Sequence, residues 1–148
     1  MKPAALITAA ALAATPAQLP ADDHIELVEL MGLLQMYTHK IHLSLEAGNI
    51  RLAGFYTHEM EELIDTLKEI DEYDNRPVDR LVEDRLEPAF EAFGDSLRGK
   101  GASSPARAFD ALLQACNGCH KATAHEFIVV EKNPHNPYMQ SFEPEPSG

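Results

Sequence analysis

Over residues 23–120 the apolar side chains return every three or four positions, and no stretch alternates apolar with polar as a half-buried strand would. That periodicity confines the chain to helices. In the first, Leu27, Met31, Leu34, Ile41 and Leu45 form one stripe, which Gly48-Asn49 ends. Asp23 is placed to cap it, with Glu26 as the return partner of a capping box. A second helix carries Leu52, Phe55, Tyr56, Leu63, Leu67 and Ile70 and stops in the polar residues 71–76. Pro77 suits the first turn of a third, whose stripe is Val78, Leu81, Leu86, Phe90, Phe93 and Leu97. Pro88 inside it predicts a kink or break. Ser104-Pro105 reads as the cap and first position of a fourth, where Phe109, Leu112, Leu113, Cys116 and His120 share one stripe. Together they predict an all-α fold, an antiparallel four-helix bundle over residues 22–126.

Both ends break the pattern. Residues 1–21 read as a secretory signal peptide: Lys2 supplies the positive start, an alanine-rich apolar run follows, and small residues flank cleavage points after Ala17 or Ala21. The apolar run is too short to span a bilayer, so no integral membrane segment is expected after cleavage. The expected location is a bacterial periplasm. Residues 127–148 hold Phe127, Ile128, Val129, Val130, Tyr138, Met139 and Phe142, too apolar for a free tail. Pro134, Pro137, Pro144 and Pro146 forbid a regular helix there. An extended, proline-rich C-terminal strap lying on the bundle is the expectation.

At 148 residues one domain is the default, and a hydrophobic fraction of 45% is too high for a disordered chain. The net charge of −12 argues against nucleic acid or an anionic membrane as partner. Two cysteines are too few for a disulfide scaffold.

Those two cysteines stand in Cys116-Asn117-Gly118-Cys119-His120. Cys-x-x-Cys-His is the attachment signal for a c-type haem. On a helix, positions three and four apart project to one side. Each thiol then adds to one haem vinyl group, and the His120 imidazole reaches the iron as proximal ligand. Three other readings compete. A thioredoxin-like redox pair wants a preceding strand, and none is expected. A structural zinc site needs four ligands, and only Cys116, Cys119, His120 and His125 are local. A plain disulfide is sterically allowed in an exported protein.

A helical bundle with its single Cys-x-x-Cys-His late in the last helix resembles cytochrome c prime and its low-spin relatives, over roughly residues 22–125. Residues 115–128 and 136–144 also resemble a group of small bacterial c-type cytochromes. The resemblance implies one covalent haem, held by Cys116 and Cys119 and ligated by His120. The departure is the end of the chain, where 28 residues follow His120. In cytochrome c prime the chain stops soon after the motif.

The sixth iron position separates two functions within that resemblance. An open distal side binds small gases; a methionine from the first helix makes an electron carrier. His120 lies 16 residues past Ser104, about 24 Å at ~1.5 Å per residue, and counting 16 back from Ala47 reaches Met31. Met31 also falls near the centre of the first helix's stripe, with Met36 nearly opposite and facing solvent. Gly32 beside it has no side chain to obstruct a flat macrocycle. Met139, His39, His42 and an open site remain alternatives to Met31.

The histidines have a second reading. His39 and His58 are about equally far from the Gly48 turn and so lie side by side, and Glu59 falls on the apolar stripe of the second helix. A buried carboxylate there needs a partner, which His42 or His39 supplies. The four residues are either a polar contact between helices or a second metal site.

A single-electron carrier is therefore the expected function, and no catalytic constellation is expected. The alternatives are a gas-binding or sensing haem protein and a haem-free bundle holding a metal. The acidic charge implies a redox partner with a basic patch. Two acidic runs, Glu59, Glu61 and Glu62, then Glu69, Asp71, Glu72 and Asp74, offer a docking face or are simply solvated. A homodimer through the first two helices stays open.

Overall fold

The computed structural model describes residues 23–146; the leader expected over residues 1–21 lies outside them, as do the capping side chains of Asp23 and Glu26. The described chain is mostly helical: α1 Asp23–Glu46, α2 Ile50–Lys68, α3 Val78–Leu81, α4 Glu87–Leu97 and α5 Pro105–Ala122. A π-helical segment, Val82–Leu86, joins α3 to α4. α1 packs along α2, α5 packs on α4 and on the π segment, and α2 reaches α3 and α4.

Most of the stripes found in the sequence are the faces that meet, but on α2 Phe55 is exposed and Met60, outside the expected stripe, takes a central place. Ile41 from α1, Met60 and Leu67 from α2, Phe93 from α4 and Leu112 from α5 are completely buried. Each such side chain contributes about 1.5–3 kcal/mol by leaving water. The turn between α1 and α2 depends on Gly48, whose φ of +70° costs a glycine nothing. Asn49 then caps α2, its Oδ1 accepting the Leu52 N–H at 3.0 Å.

Two local expectations are corrected. No strand was expected, yet Glu72–Tyr73 pairs with Arg76–Pro77 as a two-stranded antiparallel ribbon. Asp74 and Asn75 turn it with φ of 50° and 59°, the left-handed pair that a tight hairpin demands and that Asp and Asn tolerate. Pro77 therefore sits in the ribbon, and helix begins at Val78. The interruption expected at Pro88 is present: the third stretch divides into α3, the π segment and α4, with Pro88 in the first turn of α4. Pro88 has no N–H for the Asp84 carbonyl and its ring crowds that oxygen. The π segment spans that position, with the Glu87 N–H donating five residues back to Val82 O.

Candidate haem attachment site

Helix α5 carries the motif on its last two turns. It starts at Ser104, whose Oγ accepts the Arg107 N–H at 3.4 Å, and continues through Pro105. Phe109 and Leu112 pin the first half into the core. Cys116, Cys119 and His120 follow, all half-buried. Both cysteines are free thiols, so the disulfide is not formed here. Burial pushes the Cys116 thiol up to about 11, with the neighbouring Cys119 adding to it. Burial also raises Cys119, opposed by the positive charge of Arg85 on the π segment. The pair is thus protonated at neutral pH, unlike the activated thiolate of a redox enzyme.

His120 is oriented by the chain that follows it. Ala124, at φ +62°, turns the backbone out of the helix, and residues 125–132 run back along α5. His120 Nδ1 lies 2.9 Å from the Ile128 carbonyl oxygen. A carbonyl only accepts, so Nδ1 carries the proton and Nε2 keeps its lone pair for a metal. A hydrogen bond of this kind fixes tautomer and ring orientation in metal-ligating histidines. Asn117, between the two cysteines, clamps the strap from both sides. Its Nδ2 donates to Val130 O at 2.9 Å, and its Oδ1 accepts the Val130 N–H at 2.8 Å. Two free thiols and a histidine with a free Nε2, on one helical face, fit the donor set of a covalently attached haem.

Beyond Val130 the strap crosses to α1 and α2. Asn133 O meets His39 Nε2 at 2.9 Å, the Tyr56 hydroxyl donates to Gln140 at 2.7 Å, and Asn49 Nδ2 donates to Phe142 O at 3.1 Å. Phe142 is buried, but Phe127, Ile128, Val129 and Met139 are exposed, against the expectation that the apolar tail residues pack inward. Met139 is fully exposed.

Between α1, α5 and the strap lies a cavity of about 640 Å³, within the size range of ligand pockets. Gly32, Met36 and His42 line it from α1, and Phe109 and Leu113 from α5. Met36, expected to face solvent, is half-buried on this cavity because the strap covers that side of α1. Met31 is half-buried against the core. A side chain added at Gly32 would meet nothing within 4 Å.

The proposed His39, His42, His58 and Glu59 grouping is not assembled. Among the described residues no three His, Cys, Asp or Glu side chains gather as metal ligands. Glu59 is met by the Tyr37 hydroxyl at 3.5 Å, not by a histidine. That carboxylate and burial together raise Tyr37, burial being the larger cause. His39 binds strap atoms, and His58 lies on the surface with Glu61 at 3.5 Å. His42 stacks on Phe109, ring centroids 6.0 Å apart. His125 bonds Thr123 Oγ1 at 3.2 Å beside Phe127.

Sequence reasoning passed over Asn117, Asn49 and the Ile128 carbonyl. The two asparagines carry no periodic signal, although an Asn after a helix-ending glycine is a recognisable cap. Among the described residues no helix is long and apolar enough to cross a membrane. Compared with known proteins, the chain matches no family model, no curated protein and no solved structure.

Proposed function

We propose that this chain is a c-type cytochrome with one covalent haem, exported to the periplasm, where it carries single electrons. The observation that carries the reading is the His120 Nδ1 bond to the Ile128 carbonyl, which frees Nε2 beside two unpaired thiols on one helix face. Cys116 and Cys119 would hold the haem through thioethers, and the haem supplies a one-electron iron couple. The chain's own part is to orient His120, bury the macrocycle and set the charge around it.

The same reading takes the helices as an antiparallel four-helix bundle, with α3, the π segment and α4 as the third member. The His42–Phe109 stack then gives the register of α1 against α5. Four residues on from Phe109, Leu113 faces the same cavity as Thr38, four residues back from His42. Eleven residues on is His120, and eleven back is Met31. That register supports Met31 as sixth ligand and an electron carrier over a gas-binding protein. The exposed acids of α2, its C-terminal cap and the ribbon, among them Glu61, Glu62, Glu69 and Asp74, suit a partner with a basic patch, bound more weakly as salt rises.

The test is the mass and the oxidised and reduced absorbance spectra of the protein made in a host that attaches haem. The expected result is one covalent haem and a low-spin spectrum with a sulfur-to-iron charge-transfer band, lost in Met31→Ala. A high-spin spectrum that shifts with carbon monoxide would remove Met31 and favour gas binding. Absence of covalent haem would remove the cytochrome reading altogether.

A further inference from the structure

From Ile128 to Pro137 the strap has neither turn nor bend, so it runs straight. In an extended chain the N–H and C=O of one residue point to one side, and those of the next residue to the other. The bonds of the strap follow this alternation. Ile128 O meets His120 Nδ1, and the N–H and C=O of Val130 both meet the Asn117 amide, so these residues turn toward α5. Asn133 O accepts from His39 Nε2 at 2.9 Å and so turns toward α1. Val129 and Glu131 share the parity of Asn133. Among the described residues nothing bonds their backbone N–H or C=O. Asn117 grips Val130 as a residue of a neighbouring strand would, giving one bond and taking one. The strap is thus a strand with one edge filled and the other open.

The open edge borders the cavity between α1, α5 and the strap, which Val129 and Glu131 help to line. None of Cys116, Cys119, His120 and Met31 lines this cavity, so it is separate from the haem attachment site. Across it stand Gln35 and His42 of α1. His42 is 5% exposed and its Nε2 is buried without a hydrogen-bond partner. Among the described residues nothing bonds the Gln35 amide. Gly32 leaves room on the same wall, since a Cβ there would meet nothing within 4 Å. Phe109 and Leu113 of α5 supply an apolar wall.

We propose that this cavity binds a short peptide segment in extended form, whose main chain pairs with Val129 and Glu131 as an added strand. In such pairing the main-chain bonds give affinity, and the walls read alternate side chains. The two strap residues are about 6.6 Å apart at ~3.3 Å per residue, so a segment of roughly three to five residues satisfies both. Its far edge meets Gln35 and His42, whose amide and imidazole give and take hydrogen bonds. Phe109 and Leu113 favour apolar side chains on the segment. The net charge of −12 and the exposed Glu131 carboxylate disfavour an acidic segment and suit a basic one. The neighbouring cation, Lys132, is committed to Asp110. This site goes beyond the cytochrome reading and does not depend on it.

The experiment adds the blocked peptide acetyl-Lys-Val-Ala-Val-amide to the full chain purified from a host that attaches haem. Binding is followed by titration calorimetry and by amide hydrogen exchange. The expected result is saturable binding that slows exchange at Val129 and Glu131. The same peptide with every amide N-methylated keeps its side chains and loses its donors. It should bind about two- to tenfold more weakly for each hydrogen bond lost. Gly32→Leu fills the cavity from α1 and should abolish binding; the methylated peptide decides the matter even if that variant fails to fold. No saturable binding to wild type, equal binding of the methylated peptide, unchanged exchange at Val129 and Glu131, or undiminished binding by a folded Gly32→Leu each overturns the site. Absence of covalent haem overturns the cytochrome reading alone.

Discussion

Helix α1 is covered on two sides by different physics. Toward α2 it meets an apolar, periodic surface: Ile41 shares one buried core with Met60 and Ile64, and even the Thr38 hydroxyl finds the Met60 sulfur, at 3.9 Å. On the other side lies the strap, which buries little beyond Phe142 and is held by side chains gripping backbone atoms. The first side is stabilised by area removed from water, which many residues share. The second depends on a few directional bonds, each of which holds one point of an irregular chain. The proposed haem ligand His120 belongs to the second side, because its orientation comes from the strap.

The largest effect should come from the α1–α2 side. Met60 has no exposure, and Met60→Ala leaves a cavity at the centre of that packing. A loss of about 2–5 kcal/mol is expected from chemical denaturation of the haem-loaded protein. A loss under about 1 kcal/mol would mean that α1 and α2 repack freely, and the contrast with the strap would collapse.

Next is the clamp. Asn117→Ala removes both bonds to Val130 and leaves that backbone pair to water, for an expected loss of about 1–3 kcal/mol. Amide exchange at Val130 should become fast while Leu67 and Leu112 in the core stay protected. Equal loosening of strap and core would show that the two sides unfold as one unit.

This contrast also decides what was legible in the sequence. Leu34, Ile41, Leu67, Phe93 and Leu112 announced the helices because burial along a helix repeats with its pitch. The motif of Cys116, Cys119 and His120 was legible because its chemistry fixes its spacing. Asn117 and the Ile128 carbonyl were not, since a side chain that bonds a passing backbone has no period, and a carbonyl has no letter. The same holds for Phe127 and Val129, which are apolar yet exposed: their backbone path is set by the bonds at Ile128 and Val130, whatever the side chains prefer. The ribbon at residues 72–77 was missed for another reason. Two-residue strands are too short to alternate, and the signal lay in Asp74-Asn75, two residues tolerant of positive φ.

Two tyrosines sharpen the comparison at high pH. Tyr37 faces α2 and is raised by burial and then by Glu59; Tyr138 is on the strap and is raised by burial and then by Tyr56. A phenol whose pKa is raised by folding keeps its proton in the native state after the unfolded chain has lost its own. Stability from both groups is therefore full below about pH 10 and is lost as pH climbs toward the raised values. Tyrosinate absorbance should show both titrating late. Glu59→Gln should bring Tyr37 back toward its ordinary value and leave Tyr138 where it is. A shift of both would mean that the two faces of α1 share one electrostatic environment.

The smallest effect should be at Lys132, whose Nζ pairs with Asp110 where the strap crosses α5. The lysine side chain is 39% exposed and the aspartate 50%, so solvent screens the attraction and two flexible chains lose freedom to make it. Lys132→Ala should cost roughly 0.2–1 kcal/mol at low salt. At about 1 M salt, where the screening length is about 3 Å, wild type and variant should be indistinguishable. Asn117→Ala provides the control, since amide-to-backbone bonds are neutral and its loss should persist in salt. A Lys132 effect as large as the Asn117 effect, unchanged by salt, would mean that the strap is fastened by a desolvated ion pair, and the account of that side as neutral, point-by-point attachment would have to be replaced.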